Sequence, residues 1–357
     1  MTETERIYAG KTLYRHKGNS LLHYSHFSFY LNGRKVASPT VIWQRRVQSE
    51  NRAMERMLRL EPRCIERLGE DLFVLSWQHR IWLLNTATGM LREIASNREG
   101  WSDPLNLCTA DGYVYWGDYG GNQNKEKVCI YRLNAAGSIT TAYTFPAGTI
   151  RHIHNLVWDG TACCFYVFTG DLEPTSGIYR ATKDWSEVVP VATGSQQYRA
   201  VVGFSTPPGL LYATDAVNAS NHIYLIRTDG KSCSQQTGEL QAQILAPFPG
   251  SCINGCETRD YYIFSSTVEP PEGRGLLNMF DYRLGAGILN RYAHLVTVRK
   301  SDLYVEERLK LRKDILPMKL FQYGAITFPK GQEDADSLLY NVTACRGDGH
   351  SFIMPLE

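Results

Sequence analysis

The densest run of chemically capable side chains is Arg151, His152, Ile153 and His154. If this run opens a β-strand, alternation puts His152 and His154 on one side and Ile153 and Asn155 on the other. Two imidazoles on one face can move protons near neutral pH, and the adjoining guanidinium can hold an anion. Four acidic residues end apolar runs elsewhere: Asp118 after Trp116-Gly117, Asp171 after Thr169-Gly170, Asp215 after Thr214, and Glu269 after Tyr261–Ser266. Tyr119 follows the first of these. Two further openers, Gln197-Tyr198-Arg199 and Gln322-Tyr323-Gly324, carry an Arg or a Tyr. A strand-end Asp often only caps a turn, and a single strand His is usually structural. The weight lies in the set.

Such residues meet only if the fold gathers strand starts and strand ends at one place. Short runs rich in Tyr, Phe, Trp and β-branched residues, bounded by Gly, Pro, Asn and Asp, recur roughly every 45 to 60 residues. Asp71–Trp77 leads to Arg80–Leu83, Asp111–Asp118 to Val128–Tyr131, and Phe165–Asp171 to Gly177–Arg180. Leu210–Asp215 leads to His222–Leu225, Tyr261–Ser266 to Leu277–Phe280, and Gly324–Phe328 to Ser337–Asn341. These units predict an all-β, six-bladed β-propeller of four-stranded antiparallel blades, a single domain over residues 1–357 with blades from about residue 65. Residues 1–64 supply closing strands (Thr12–Arg15, Leu21–Tyr24) and an insertion. A two-sheet sandwich cannot make this period. Helical text is confined to Glu50–Leu60 and Val305–Leu311. The stretch Arg45–Arg67, with seven Arg and four Glu, reads as a solvated surface, with an anionic partner site as the alternative.

In a propeller, the start of each innermost strand and the end of the second strand share one end of the central channel. His152, His154, Asp171, Asp118 and Tyr323 are thus the candidate catalytic residues. Arg151, Arg199, Tyr119, Tyr198, Asp215, Glu269 and Trp116 are the candidate substrate contacts, around a pocket where this architecture places ligands.

Composition limits the function classes. Lys plus Arg is 38 against 36 Asp plus Glu, a net charge of +2, which argues against nucleic-acid binding by bulk electrostatics. No apolar run is long enough to span a membrane. The nine cysteines, an odd number partly inside apolar strands, fit free thiols in a reducing cytoplasm. So does the polar text at Met1–Tyr8. Cys252 and Cys256 are four apart, but no second pair at zinc spacing follows. No cofactor is expected. A metal on His152 and His154 is compatible with lyase chemistry, but the sequence names no third ligand.

Around Arg151–Ala192 the text resembles sialidase-like, Asp-box (BNR-repeat) propeller proteins associated with bacterial polysaccharides. Ala181–Val188 keeps Thr182 and Asp184 of the Asp-box turn but lacks its Gly and final Trp; Arg227–Lys231 and Asn134–Ser138 look like eroded copies. The resemblance implies a propeller and carbohydrate chemistry. Sialidases use three Arg, a Tyr–Glu pair and an Asp acid; Arg151, Arg199, Arg346, Tyr323, Glu257 and Asp118 or Asp171 stand nearest to that set, without the N-terminal Arg-Ile-Pro motif.

Three functions are open, all on an acidic glycan. The first is a glycoside hydrolase working with an acid/base pair. The second is a polysaccharide lyase in which Arg neutralises a uronate and His or Tyr acts as base. The third is a glycan-binding propeller without catalysis.

Overall fold

The computed structural model describes residues 4–16, 20–39, 48–228, 240–273 and 279–356. Their strands form seven four-stranded antiparallel sheets and one two-stranded ribbon. This is a seven-bladed propeller, one blade more than expected. Blade 1 is built from Lys11–His16, Ser20–Ser25, Ser28–Leu31 and Arg34–Ala37. The N-terminal segment reads as mere closing strands because these strands are short and their turns close together. The chain reverses at His26-Phe27 and at Asn32-Gly33, all four in positive φ.

The innermost strands of blades 2 to 6 are Cys64–Arg67, Cys108–Ala110, His152–Asp159, Ala200–Thr206 and Cys252–Glu257. Blade 7 has Ala325–Thr327 innermost, then Ser337–Thr343 and His350–Pro355, with Glu5–Ala9 from the N terminus as its outermost strand. The N-terminal segment therefore does close the ring, but with one strand only. Closure is polar as well: Thr12 of blade 1 donates through its N–H to Asn341 Oδ1 (2.8 Å), and its hydroxyl meets Ser351 Oγ (2.7 Å).

Second strands are packed on both faces by neighbouring blades. Cys164–Gly170, Gly209–Thr214 and Tyr261–Ser266 are buried throughout, which is why they read as unbroken apolar runs. Aromatic pairs join blade to blade, as in Tyr115–Phe165 (4.8 Å), Phe168–Tyr212 (6.2 Å) and Phe204–Tyr262 (5.2 Å).

Two helical expectations resolve differently. Val305–Arg312 is the outermost strand of blade 6, where alternating Glu306, Arg308, Lys310 and Arg312 leave a charged edge that resists further pairing. Tyr292–Arg299, not the text near Leu277, is that blade's third strand; 274–278 lie outside the described residues. The Arg-rich stretch does contain a helix, Arg52–Met57, capped by the Asn51 side chain. It is not simply a solvated face: Arg56 is 3% exposed and pairs with Asp314 and Asp348, and Arg52 meets Glu55, Glu61 and Asp348. Arg45 and Arg46 lie outside the described residues. Among the described residues, no helix is long and apolar enough to cross a membrane.

Candidate metal centre at the channel mouth

The inner strands surround a central cavity of about 470 Å³. The inner strand of blade 4 carries a β-bulge. His152 pairs with Gly170 and Ile153 with Thr169, Asn155 then pairs with Phe168, and His154 is the extra residue. A bulge re-aims its side chain, and here it brings the His154 ring beside His152, Nε2 to Nε2 at 3.1 Å. Gly170 makes room: a Cβ there would collide with the His154 ring.

Both imidazoles are held from behind by backbone carbonyls. His152 Nδ1 lies 2.6 Å from Gly120 O and His154 Nδ1 2.9 Å from Ala200 O. A carbonyl only accepts, so each Nδ1 is the N–H and each Nε2 of the neutral ring presents a lone pair. Asp171 Oδ1, at the end of the second strand, adds a third donor at 3.3 Å from His152 Nε2 and 3.1 Å from His154 Nε2. Three electron-pair donors so close together repel unless a cation lies among them. The group satisfies the geometry of a metal site, with all three ligand atoms within 4.8 Å of one another. Carbonyls on the far ring nitrogens are the usual support for metal-ligating His. The residues therefore fit a divalent ion. Burial lowers the His154 pKa, favouring the neutral ligand form. Sequence reasoning identifies both His and treats Asp171 as an acid. It lacks the bulge and the close approach that make Asp171 the third ligand.

Arg199 is the second centre of charge. Its guanidinium lies 3.4 Å from Asp171 Oδ1, 3.6 Å from Asp215 Oδ2 and 3.0 Å from Glu272 Oε1. Arg151 stands further out, 3.7 Å from Asp171 Oδ2, with two bonds to Gly121 O. Asp215 and Glu269 are buried, and burial pushes both carboxyls up; Arg199 partly opposes this for Asp215, and the Thr267 hydroxyl bond for Glu269. Tyr119 packs its ring 4.8 Å from His152 and lies under Arg63 at 5.1 Å. The Tyr323 hydroxyl is pushed up by burial and by Glu269. Sequence reasoning misses Glu272 and Arg63. Arg63 directly precedes the inner strand Cys64–Arg67, as Arg151 and Arg199 precede theirs, but the expected blades begin only at about residue 65. Glu272 neither opens nor ends a strand, and only the folded loop brings it to Arg199.

Three expected members lie apart. Asp118 accepts from Cys129 N–H (2.9 Å) and meets Arg98 at 3.5 Å, in a cleft between blades 2 and 3. Trp116 lines that cleft, beside Tyr131. Tyr198, on the short turn before Arg199, packs into the core between blades 4 and 5. The sialidase-like set is also dispersed. Glu257 ends the inner strand of blade 6, the opposite end of the channel from the segment before Ala325 that carries Tyr323, and pairs with Lys300. Arg346 is exposed. The Cys252 and Cys256 thiols join no metal-ligand cluster among the described residues.

No family model matches the chain, and neither does any curated protein. Solved structures do. An oligogalacturonate lyase from Vibrio parahaemolyticus superposes with a TM-score of 0.58 at 11% identity, over 100% of this chain and 91% of its own. An oligogalacturonate lyase in complex with manganese gives 0.58 at 11% identity, over 99% and 90%. The likeness shows the fold. It replaces the sialidase-like resemblance: the ring has seven blades, the two structures above are lyases and not sialidases, and the Thr182–Glu187 segment is an ordinary turn closed by Thr182, Asp184 and Ser186.

Proposed function

We propose that the protein is a metal-assisted lyase of acidic oligosaccharides, cleaving beside a uronate by β-elimination. The observation that carries this reading is the convergence of His152, His154 and Asp171 beside Arg199. With an ion bound it forms a positive site for a carboxylate, next to buried acids and tyrosines. The fold shared along the whole chain with oligogalacturonate lyases supports it and makes galacturonate oligomers the first substrates to assay.

In the elimination, a base removes the hydrogen α to the uronate carboxylate at C5, the C4–O bond breaks, and a C4=C5 double bond forms. A divalent ion on the three ligands, when bound, supplies Lewis acidity that stabilises charge on the carboxylate. Arg199, kept protonated by the surrounding acids, holds a carboxylate oxygen. Asp215 takes the C5 proton; its raised pKa brings it toward the range where a base works best. Tyr323, kept neutral by burial, gives its proton to the departing O4. Tyr119 excludes water beside His152 and orients the sugar ring. The hydrolase reading has less support: the two solved structures that share this fold along the whole chain are lyases, and of the four carboxylates offered for hydrolysis Asp118 stands in a separate cleft.

The test is direct. Oligouronides mixed with manganese-loaded protein should yield an unsaturated product absorbing in the ultraviolet. New reducing ends without that absorbance would replace this reading with hydrolysis.

A further inference from the structure

The cleft that separates Asp118 and Trp116 from the metal centre has the features of a site in its own right. It holds about 170 Å³, room for about six waters at ~30 Å³ each and so for one sugar ring. Its walls are aromatic with charged edges. Trp101 lies under the Arg98 guanidinium at 4.8 Å, Trp116 and Tyr131 stand 5.7 Å apart, and Asp118 is desolvated among them. Flat aromatic surfaces with a carboxylate and a guanidinium at their edge are what a pyranose needs: faces for its C–H groups, and an acceptor and donors for its hydroxyls.

The cleft adjoins the metal centre across Tyr119, which lines the cleft and also packs on His152. The two-stranded ribbon pairs Trp101 with Gly120 and Ser102 with Tyr119, and the Gly120 carbonyl is the one that holds His152 Nδ1. A chain that leaves the metal centre over Tyr119 would reach this cleft next.

We propose that this cleft is a second sugar subsite, taking the next residue of the oligosaccharide by contact with Trp101 and by hydroxyl hydrogen bonds to Asp118 and Arg98. The inference rests on the lyase reading for its ligand, but the cleft can be tested without turnover.

Calorimetry with uronides of one to four residues tests it, alongside manganese titration to confirm that His152 is still in place. The wild type should bind the dimer about tenfold tighter than the monomer, the worth of one stacked ring. In Trp101→Ala that ratio should fall to near one. If Trp101→Ala loses manganese, Asp118→Asn, which keeps the Trp101–Gly120 pairing, carries the comparison. Absence of a length dependence in the wild type, or its persistence in the variant, overturns the subsite. Length-dependent binding that Trp101 controls, without any unsaturated product, removes the proposed reaction and leaves the subsite standing. Turnover without length dependence does the reverse.

Discussion

His152 and His154 face each other Nε2 to Nε2 at 3.1 Å while the other nitrogen of each ring is committed to a backbone carbonyl. With both tautomers fixed, the two lone pairs and the Asp171 carboxylate can share only a cation. Ion binding and the proposed elimination both depend on that relation.

Replacing either His should remove the ion. His152→Ala and His154→Ala are each expected to weaken manganese binding by about 10- to 100-fold or more, measured by titration of the purified protein. Folding should largely survive, because the repulsion between the donors is relieved at the same time.

Gly170 sets the position of one ligand. Gly170→Ala places a methyl group where the His154 ring lies, in a fully packed strand. Overpacking of this kind costs about 1–3 kcal/mol. Thermal melting should register that loss, and the manganese titration a weaker site. An unchanged affinity would mean that His154 is free to turn elsewhere.

The pH dependence of ion binding has a definite sign. Burial depresses His154 below its ordinary value of 6.5, so protons compete for it only in more acidic solution. Manganese affinity should thus be nearly flat above pH 6.5 and fall below it. A steep loss between pH 8 and 7 would contradict the buried neutral imidazole.

Turnover should depend on a different group. Asp215 must be ionised to act as base, and burial raises its pKa well above 3.8. The rate should therefore climb with pH through a limb displaced upward from the ordinary carboxylate range, and Asp215→Asn should lower kcat by about 10²–10⁴-fold. If the limb persists in Asp215→Asn, Glu269 becomes the base.

The helix Arg52–Met57 gives a stability signal away from the site. Burial and the neighbouring Glu61 raise Glu55 to about 7, against Arg52. The unfolded group titrates near 4.5, so between 4.5 and about 7 the folded protein holds more protons. Stability from this group is present below that window and lost as pH rises through it. Glu55→Gln should flatten the fall in Tm between pH 5 and 8.

Particular segments show how legible the fold is in the residues. Phe165–Asp171 and Leu210–Asp215 stand out because strands buried on both faces need unbroken apolar text. Lys11–Ala37 conceals a whole blade, since its strands are short and its turns tight. Val305–Arg312 looks helical because an exposed outer strand carries charges where a buried one carries Val and Ile. Within the site, strand starts and ends do converge for His152, His154, Asp171, Arg199 and Asp215. The same rule places Asp118 and Trp116 wrongly in the channel, because blade 3 ends its second strand against the Trp101–Ser102 ribbon and turns them into the inter-blade cleft. The bulge at His154 is a departure from alternation that no residue pattern marks.

The most direct measurement is the ultraviolet absorbance of a galacturonate oligomer incubated with the protein before and after chelation, with His154→Ala alongside. Metal-assisted elimination predicts absorbance from an unsaturated product that chelator abolishes, manganese restores and His154→Ala lacks. Cleavage that proceeds unchanged in chelator, or that His154→Ala retains, would contradict it.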